Sequence, residues 1–329
     1  MRILVTGGAG YIGSELVRKL IRDKHNVICL DKFFFGEEPL QDISKNFNLT
    51  IIQEDIRFFN PSLLKNVDIV LDLAAISNDP SGELDPLKTI EINYKGRTRV
   101  ARLCKDYGIK KYILASSCSV YGFHKAIVDE NSDIDPLTTY AIANSKVEEE
   151  ILLLSSKDFS VTVFRCATVY GLSKRMRFDL AINSIVLELF KNKTISVLRD
   201  GLQWRPFIHI DDVIEAYKTV IFSSLDKING QIYNIGNTEH NFQILPLFKH
   251  IAESLDVEYR IIFYGDPDFR SYRVSFEKFK NDLKYKTQYT PIDGAKKIYK
   301  KLEEGDVKET LNTRTVQWYK HLIQNNCGP

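Results

Sequence analysis

The 329-residue sequence has few cysteines, no internal repeat and no long apolar run, and each lack removes a class of protein. Its five cysteines, at 29, 104, 118, 166 and 327, form no CxxC pair and no regular framework. An odd, scattered set argues against disulfide stapling and points to reduced thiols in a cytoplasmic compartment. Charge of one sign is lacking too: 45 Lys and Arg against 43 Asp and Glu leave a net +2. That balance excludes a basic nucleic-acid coat or an acidic tail as the governing physics. No stretch approaches the roughly 20 apolar residues that span a bilayer. The apolar run at 1–6 meets Gly7 and Gly8 at once, which is too short for the core of a signal peptide. No cluster of His, Cys or carboxylates has metal-ligand spacing. The remainder is 44% apolar and 27% charged, the composition of an ordinary globular chain. At this length about three quarters of the unfolded surface can be buried without staples.

The first half alternates short apolar runs with amphipathic ones. Runs at 2–6, 26–30, 50–53, 68–73, 111–116 and 160–165 read as buried strands, and 11–22, 88–107 and 145–154 as helices. Buried strands separated by helices predict an α/β fold, a doubly wound parallel sheet covered on both faces. Past residue 172 the pattern loosens. Helices are expected at 179–190, 213–222 and 245–255, and strands at 194–198, 231–235 and 259–263. The chain is therefore expected to divide into 1–172 and a smaller α/β lobe, 173–329, with segments free to cross between them.

The strongest local signal is Thr6-Gly7-Gly8-Ala9-Gly10-Tyr11-Ile12-Gly13-Ser14, between a strand and a helix. Glycines there let backbone N–H groups approach a pyrophosphate seated at the helix N-terminus. Strand and helix flank the motif as dinucleotide binding requires. The second strand ends at Asp31, placed to accept the ribose hydroxyls of NAD and to repel the extra phosphate of NADP. Lys32 beside it is a flexible point charge, a weaker counterweight than a guanidinium fork.

These residues, with others along nearly the whole chain, resemble the extended short-chain dehydrogenase/reductases that act on nucleotide sugars. The resemblance includes Asp55-Ile56, Leu73-Ala74-Ala75, Asn93, Ser116 to Gly122, Arg165 to Gly171 with Thr168 in place of an Asn, and Arg205 to Asp212. It implies a Rossmann-type domain over 1–172 and a nucleotide-sugar-binding lobe over 173–329. It also implies NAD as cofactor, held by Gly7, Gly10, Tyr11, Ile12, Gly13, Asp31, Asp55, Ile56, Leu73, Ala74, Ala75 and Asn93. The implied partner is a nucleotide-diphosphate sugar. Relatives commonly dimerise through two helices per subunit, so a homodimer across 88–107 and 145–154 is implied.

By the same resemblance, Ser117 is the catalytic hydroxyl that bonds the reacting sugar oxygen. The next pair, Cys118-Ser119, has no carboxylate, unlike the dehydratases and decarboxylases of the family, and Ser119 matches the small hydroxyl residue of 4-epimerases. Cys118 reads as a buried thiol, since neighbouring residues on a strand face opposite ways. The implied base is Tyr140, but the lysine that accompanies it in the family stands four residues later, and here Asn144 holds that place. Lys146 follows Tyr140 by six residues, about 600° around a regular helix. Either a bulge restores Lys146 as catalytic and cofactor-binding, or Asn144 assists Tyr140, or the ordinary base is lost. Arg205, Arg270, Arg273 and Asn183 are the implied substrate contacts, and His209 reads as structural, ahead of a helix start. The chain is thus expected to be an NAD-dependent enzyme converting nucleotide sugars through a 4-keto intermediate, first a 4-epimerase. The alternatives are a 4-ketoreductase and a non-catalytic dinucleotide sensor.

Overall fold

The computed structural model describes residues 1–266, 268–325 and 328. Cys327 lies outside the described residues; the other four cysteines are free and buried. Fourteen strands are described: β1 (Arg2–Thr6), β2 (Asn26–Asp31), β3 (Leu49–Gln53), β4 (Ile69–Asp72), β5 (Lys111–Ser117), β6 (Phe123–Val128), β7 (Ser160–Cys166), β8 (Thr168–Tyr170), β9 (Thr194–Leu198), β10 (Trp204–His209), β11 (Gln231–Ile235), β12 (Asn241–Gln243), β13 (Arg260–Tyr264) and β14 (Ser271–Val274). Seven form one sheet in the order β3-β2-β1-β4-β5-β7-β11, every neighbouring pair parallel. The strands are apolar because both faces are covered: Ile3 and Val5 point into one core, Leu4 and Val70 into the other. This is the doubly wound Rossmann-type arrangement that the sequence predicts. A third core, built on Phe178, Ile185, Leu189, Phe207 and Phe248, belongs to the later part of the chain.

The division near residue 172 is crossed by the chain. β11 returns to the edge of the large sheet beside β7, while β8, just before the boundary, pairs with β10 of the later segment. The sheet order reverses between β1 and β4, and in open parallel sheets ligands bind in the crevice beyond the strand C-termini at such a point.

Two helices depart from expectation in ways that shape the site. The pattern at 88–107 is not one helix: it runs as Pro86–Ile90, a π-helical turn Glu91–Gly96, then Arg97–Asp106. The helix expected at 145–154 spans Thr139–Leu152 and starts earlier because the Thr138 hydroxyl accepts the Ala141 N–H at 3.2 Å, a side-chain N-cap. Tyr140 therefore sits in its first turn. Val147 and Ile151 on this helix are fully buried in the chain's own core, so they do not form an outward apolar stripe. Among the described residues no helix is long and apolar enough to cross a membrane.

Candidate active site

The turn after β1 is built around its glycines. Gly7 has a left-handed φ of +67°, and a Cβ there would lie 2.8 Å from backbone atoms of Ala74. Gly13, in the first turn of the following helix, faces back onto the turn, and a Cβ would collide with the Gly7 carbonyl oxygen. Gly10 donates its N–H to that carbonyl at 3.0 Å. The result is bare backbone at the N-terminus of helix Tyr11–Arg22, the geometry that receives an anion. Thr6 completes it from below. Its hydroxyl donates to the Asp72 carboxylate at 2.6 Å and accepts the N–H groups of Leu73 and Ala74, each at 3.1 Å, which fixes the loop after β4.

These elements open onto a cavity of about 450 Å³ lined by Gly7, Gly10, Tyr11, Ile12 and Gly13, and further along by Leu73, Ala74 and Ala75. At one end stands Asp31, whose two oxygens accept the N–H groups of Ala9 (2.9 Å) and Phe33 (2.8 Å). Burial pushes its pKa up, and these backbone donors work against that. Each oxygen keeps a lone pair for a hydroxyl. Asp55 and Ile56 also line this end. Burial acts to raise the Asp55 pKa, but the Arg57 side chain and backbone bond its carboxylate and hold it below the usual range. Asn93 does not line the cavity. It is buried in the π-helical turn, accepting the Ile76 N–H at 2.8 Å and donating to the Ile76 carbonyl at 2.9 Å, so it pins the loop that does.

Ser117 and Tyr140 meet in the cavity wall, with the Ser119 hydroxyl, buried and without a partner, in the same wall. Burial raises the Tyr140 pKa and the Asp79 carboxylate adds to it. The Arg97 charge and hydrogen bonds with Asn144 and Ser117 oppose the rise. Lys146 is placed elsewhere. It is exposed and absent from the cavity wall, because Thr139–Leu152 is a regular α-helix with no bulge to absorb two residues. The face toward the sheet carries Tyr140, Asn144 and Glu148 at four-residue spacing. Glu148 is clamped by Arg165 at 2.7 and 2.9 Å and accepts from Ser116, which locks the helix against β5 and β7. Cys118 is a buried thiol bonded to the Arg165 carbonyl at 3.2 Å, its pKa driven well up by burial.

At the other end of the cavity lie Arg205 and Arg270. Both bind Asp268, at 2.9 and 2.8 Å, and Arg270 also pairs with Asp79. Arg273 and Asn183 are not in the cavity wall. Arg273 donates to the Lys125 carbonyl at 2.8 Å and covers the Trp204 ring. Asn183 is fully buried, accepting the Gly171 N–H and donating to the Tyr11 hydroxyl and the Arg177 carbonyl. It therefore braces Tyr11 from behind. His209 is buried between the Tyr170 and Tyr289 rings and its Nδ1 accepts the Asp211 N–H at 3.2 Å, a helix cap.

Sequence reasoning missed three arginines. Arg175 and Arg177 line the cavity. Arg175 lies 3.6 Å from the Phe35 ring centroid, its Nε has no partner, and burial takes its pKa down to about 9. Arg177 pairs with Asp179 and donates to Ser77 at 3.0 Å. The third, Arg97, is fully buried behind Asn144. A signal for it was present: Arg97, Val100, Ala101 and Cys104 fall at i, i+3, i+4 and i+7, so the arginine heads an otherwise apolar stripe.

The chain is similar to known proteins over most of its length. A protein named an uncharacterized UDP-glucose epimerase in Bacillus subtilis is 32% identical over 251 residues, 73% of this chain and 78% of that protein. A UDP-glucuronate 4-epimerase of Thermodesulfobacterium geofontis is 29% identical over 98% of this chain and 97% of its own length. The solved UDP-glucuronic acid 4-epimerase from Bacillus cereus, in complex with UDP-glucuronic acid and NAD, superposes with a TM-score of 0.83 at 26% identity. The match covers 92% of this chain and 99% of that one. The model of the NAD dependent epimerase/dehydratase family matches residues 3–236. With its glycine turn, Asp31 and the Ser117–Tyr140 pair in one cavity, the chain belongs to the NAD dependent epimerase/dehydratase family.

Proposed function

We propose that the protein is an NAD-dependent nucleotide-sugar 4-epimerase. The observation that carries this reading is the Ser117–Tyr140 pair in the same cavity wall as the glycine turn, Arg205 and Arg270, with neighbouring positions, Cys118 and Ser119, that hold no carboxylate. The cradle fits NAD: its floor has room only for glycine at Gly7 and Gly13, and Asp31 keeps acceptor capacity at its end. Gly7, Gly10, Tyr11, Ile12 and Gly13 would hold the pyrophosphate region, Asp31 the ribose, and Asp55 with Ile56 the adenine. When bound, NAD supplies a two-electron acceptor for hydride from the sugar's C4 and returns it.

The chain's own part is proton control. Tyr140 takes the proton of the sugar's 4-hydroxyl and gives it back to the same oxygen once the 4-keto sugar, turned over, is reduced at C4 on its other face. Ser117 donates to the same oxygen and stabilises the charge developing on it, and Ser119 is free to bond the sugar beside it. Arg205 and Arg270 bind the substrate's diphosphate, exchanging carboxylate partners for phosphate oxygens. Residues 1–172 would serve the cofactor and 173–329 the nucleotide sugar. Relatives' names favour UDP-glucose and UDP-glucuronate as the first substrates to try. A homodimer across the outer faces of helices 97–106 and 139–152 completes the reading, to be checked by light scattering at micromolar concentration.

The deciding experiment is mass spectrometry of the ligand carried through purification, followed by turnover of a UDP-, dTDP-, GDP- and CDP-sugar panel. Epimerisation at C4 without added NADH is the expected result. Stoichiometric NADH loss would make the protein a 4-ketoreductase. Tyr140→Phe should lower kcat by about 10²–10⁴-fold while leaving NAD bound. Unchanged turnover in that variant would remove the tyrosine base.

A further inference from the structure

Asn144 is an odd residue to find one turn below a tyrosine that must lose a proton. It offers no charge, and Lys146 is on the outside of the helix. Yet the space behind Asn144 is not neutral. Arg97, from the helix that follows the π-helical turn, is fully buried there with its guanidinium against the Asn144 amide. Its Nη1 donates to Asn144 Oδ1 at 3.1 Å, and its Nη2 to the carbonyls of Asp72 (3.1 Å) and Ala115 (2.5 Å). Its Nε has no hydrogen-bond partner and lies 3.7 Å from the Asp72 carboxylate. That carboxylate is itself taken up by the hydroxyls of Thr6 and Tyr112.

We propose that Arg97, acting through Asn144, supplies the fixed positive charge behind Tyr140 that a lysine four residues along the same helix would otherwise supply. The proposal rests on Tyr140 being the base of the reading above. Asn144 is oriented to transmit it. Its Oδ1 is held by Arg97, which turns its Nδ2 toward the first turn of the helix, where it donates to the Tyr140 carbonyl at 3.1 Å. An amide so clamped presents N–H, never C=O, to the tyrosine side, and a phenolate is the species that N–H favours. The π-helical turn Glu91–Gly96 accounts for the placement. A π turn shifts the residues after it around the axis, and here the shifted residue is Arg97, brought to the inner face where β4 and β5 end.

The other charges around Tyr140 do not make this one redundant. Asp79 acts against the phenolate and is partly neutralised by Arg270. Arg177 also feels Tyr140; both it and Arg97 have carboxylate neighbours, Asp179 and Asp72, but of the two it is Arg97 that ranks among the leading influences on Tyr140. Arg97 supplies the strongest opposition to the rise that burial and Asp79 impose on the Tyr140 pKa. Tying strand-end carbonyls together would be a purely structural use of Arg97, and it predicts no change in the titration of Tyr140. Arg97 is a positioning residue in this scheme, since Asn144 stands between it and the cavity.

The test needs no substrate, so it can fail independently of the 4-epimerase reading. Tyrosinate absorbance of the NAD-loaded protein is titrated, and the Tyr140→Phe curve is subtracted to isolate Tyr140. Arg97→Met should raise the midpoint by about one pH unit or more, and Arg97→Met/Asn144→Lys, which puts a lysine back on the tyrosine's own helix, should bring it down again. Asn144→Leu leaves Arg97 and its carbonyl contacts in place and should raise the midpoint as well, which covers the case in which Arg97→Met does not fold. An unmoved midpoint in Arg97→Met or Asn144→Leu overturns the proposal. A midpoint that stays high in the lysine double variant overturns it too.

Discussion

The glycine-turn end of the cavity and the Arg205 end meet their ligands with different material. At the first, the chain presents backbone. Gly7 and Gly13 leave no room for side chains, and the donors and Asp31 are in place before anything binds. At the second it presents side chains whose charges are already satisfied, with Arg205 and Arg270 sharing Asp268 and Arg270 also holding Asp79. Binding at the first end fills a preformed cradle. Binding at the second must exchange one anion for another, so part of its electrostatic gain is offset by the pairs it breaks. The arginines of the cavity wall are held differently: Arg177, Arg205 and Arg270 rest on carboxylates, whereas Arg175 bonds the Thr315 hydroxyl and covers the Phe35 ring.

The contrast is broken most severely at Gly13. Gly13→Ala puts a methyl into the Gly7 carbonyl, so the cradle must open, and NAD affinity by calorimetry should fall by about 100-fold, or roughly 2.7 kcal/mol. A loss under tenfold would mean the cradle is not preformed in the way described. The next effect concerns acid and the end of β10, where His209 packs behind Gly171. Burial takes the His209 pKa down to about 4, against about 6.5 in the unfolded chain. A lowered folded pKa means the unfolded state binds the proton first, so stability is lost as pH falls from 6.5 toward 4. Between pH 7 and 5 this amounts to about 2 kcal/mol. Asp212 has the opposite sign: burial lifts its pKa to about 6 despite N–H bonds from Gln288 and Tyr289, so its contribution grows as pH falls through 6 and offsets part of the loss. His209→Gln removes only the first effect, and its urea midpoint should fall less than wild type between pH 7 and 5.

A smaller effect sharpens the cofactor end. NAD should bind at least tenfold tighter than NADP, since a 2′-phosphate would meet the Asp31 carboxylate. Asp31→Ala should narrow that gap, and the charge of Arg175, which reaches Asp31, would add to the effect. Side-by-side titration of the two cofactors decides it, and equal affinities in wild type would overturn the role of Asp31. The smallest effect belongs to Asp268→Asn, which releases Arg205 and one partner of Arg270. UDP affinity should rise by a few-fold, and the gain should shrink as salt is added. An affinity that falls would show that Asp268 positions the arginines more than it competes for them.

Local features of the chain were readable where backbone periodicity or glycine dictated them. The strands at 2–6, 194–198 and 231–235 and the helix at 11–22 coincide with the described elements, and the cradle glycines, Asp31, Ser117 and Tyr140 come together in one cavity. The residues expected at the site but absent from the cavity wall share one cause: which side of a helix or strand faces inward is decided in three dimensions. Asn93, Asn183 and Arg273 carry suitable chemistry, yet the fold spends them on Ile76, Tyr11 and Lys125. The sequence by itself determined the parallel sheet, the glycine cradle and the break in the Tyr–Lys spacing, because each depends on residues close together in the chain. Only the tertiary structure decided what fills that break. It put Lys146 in solvent and carried Arg97, 43 residues before Tyr140 in sequence, through a π-helical turn to the back of Asn144. A buried charge is placed by the packing of the elements around it, and no local pattern records where that packing will bring it.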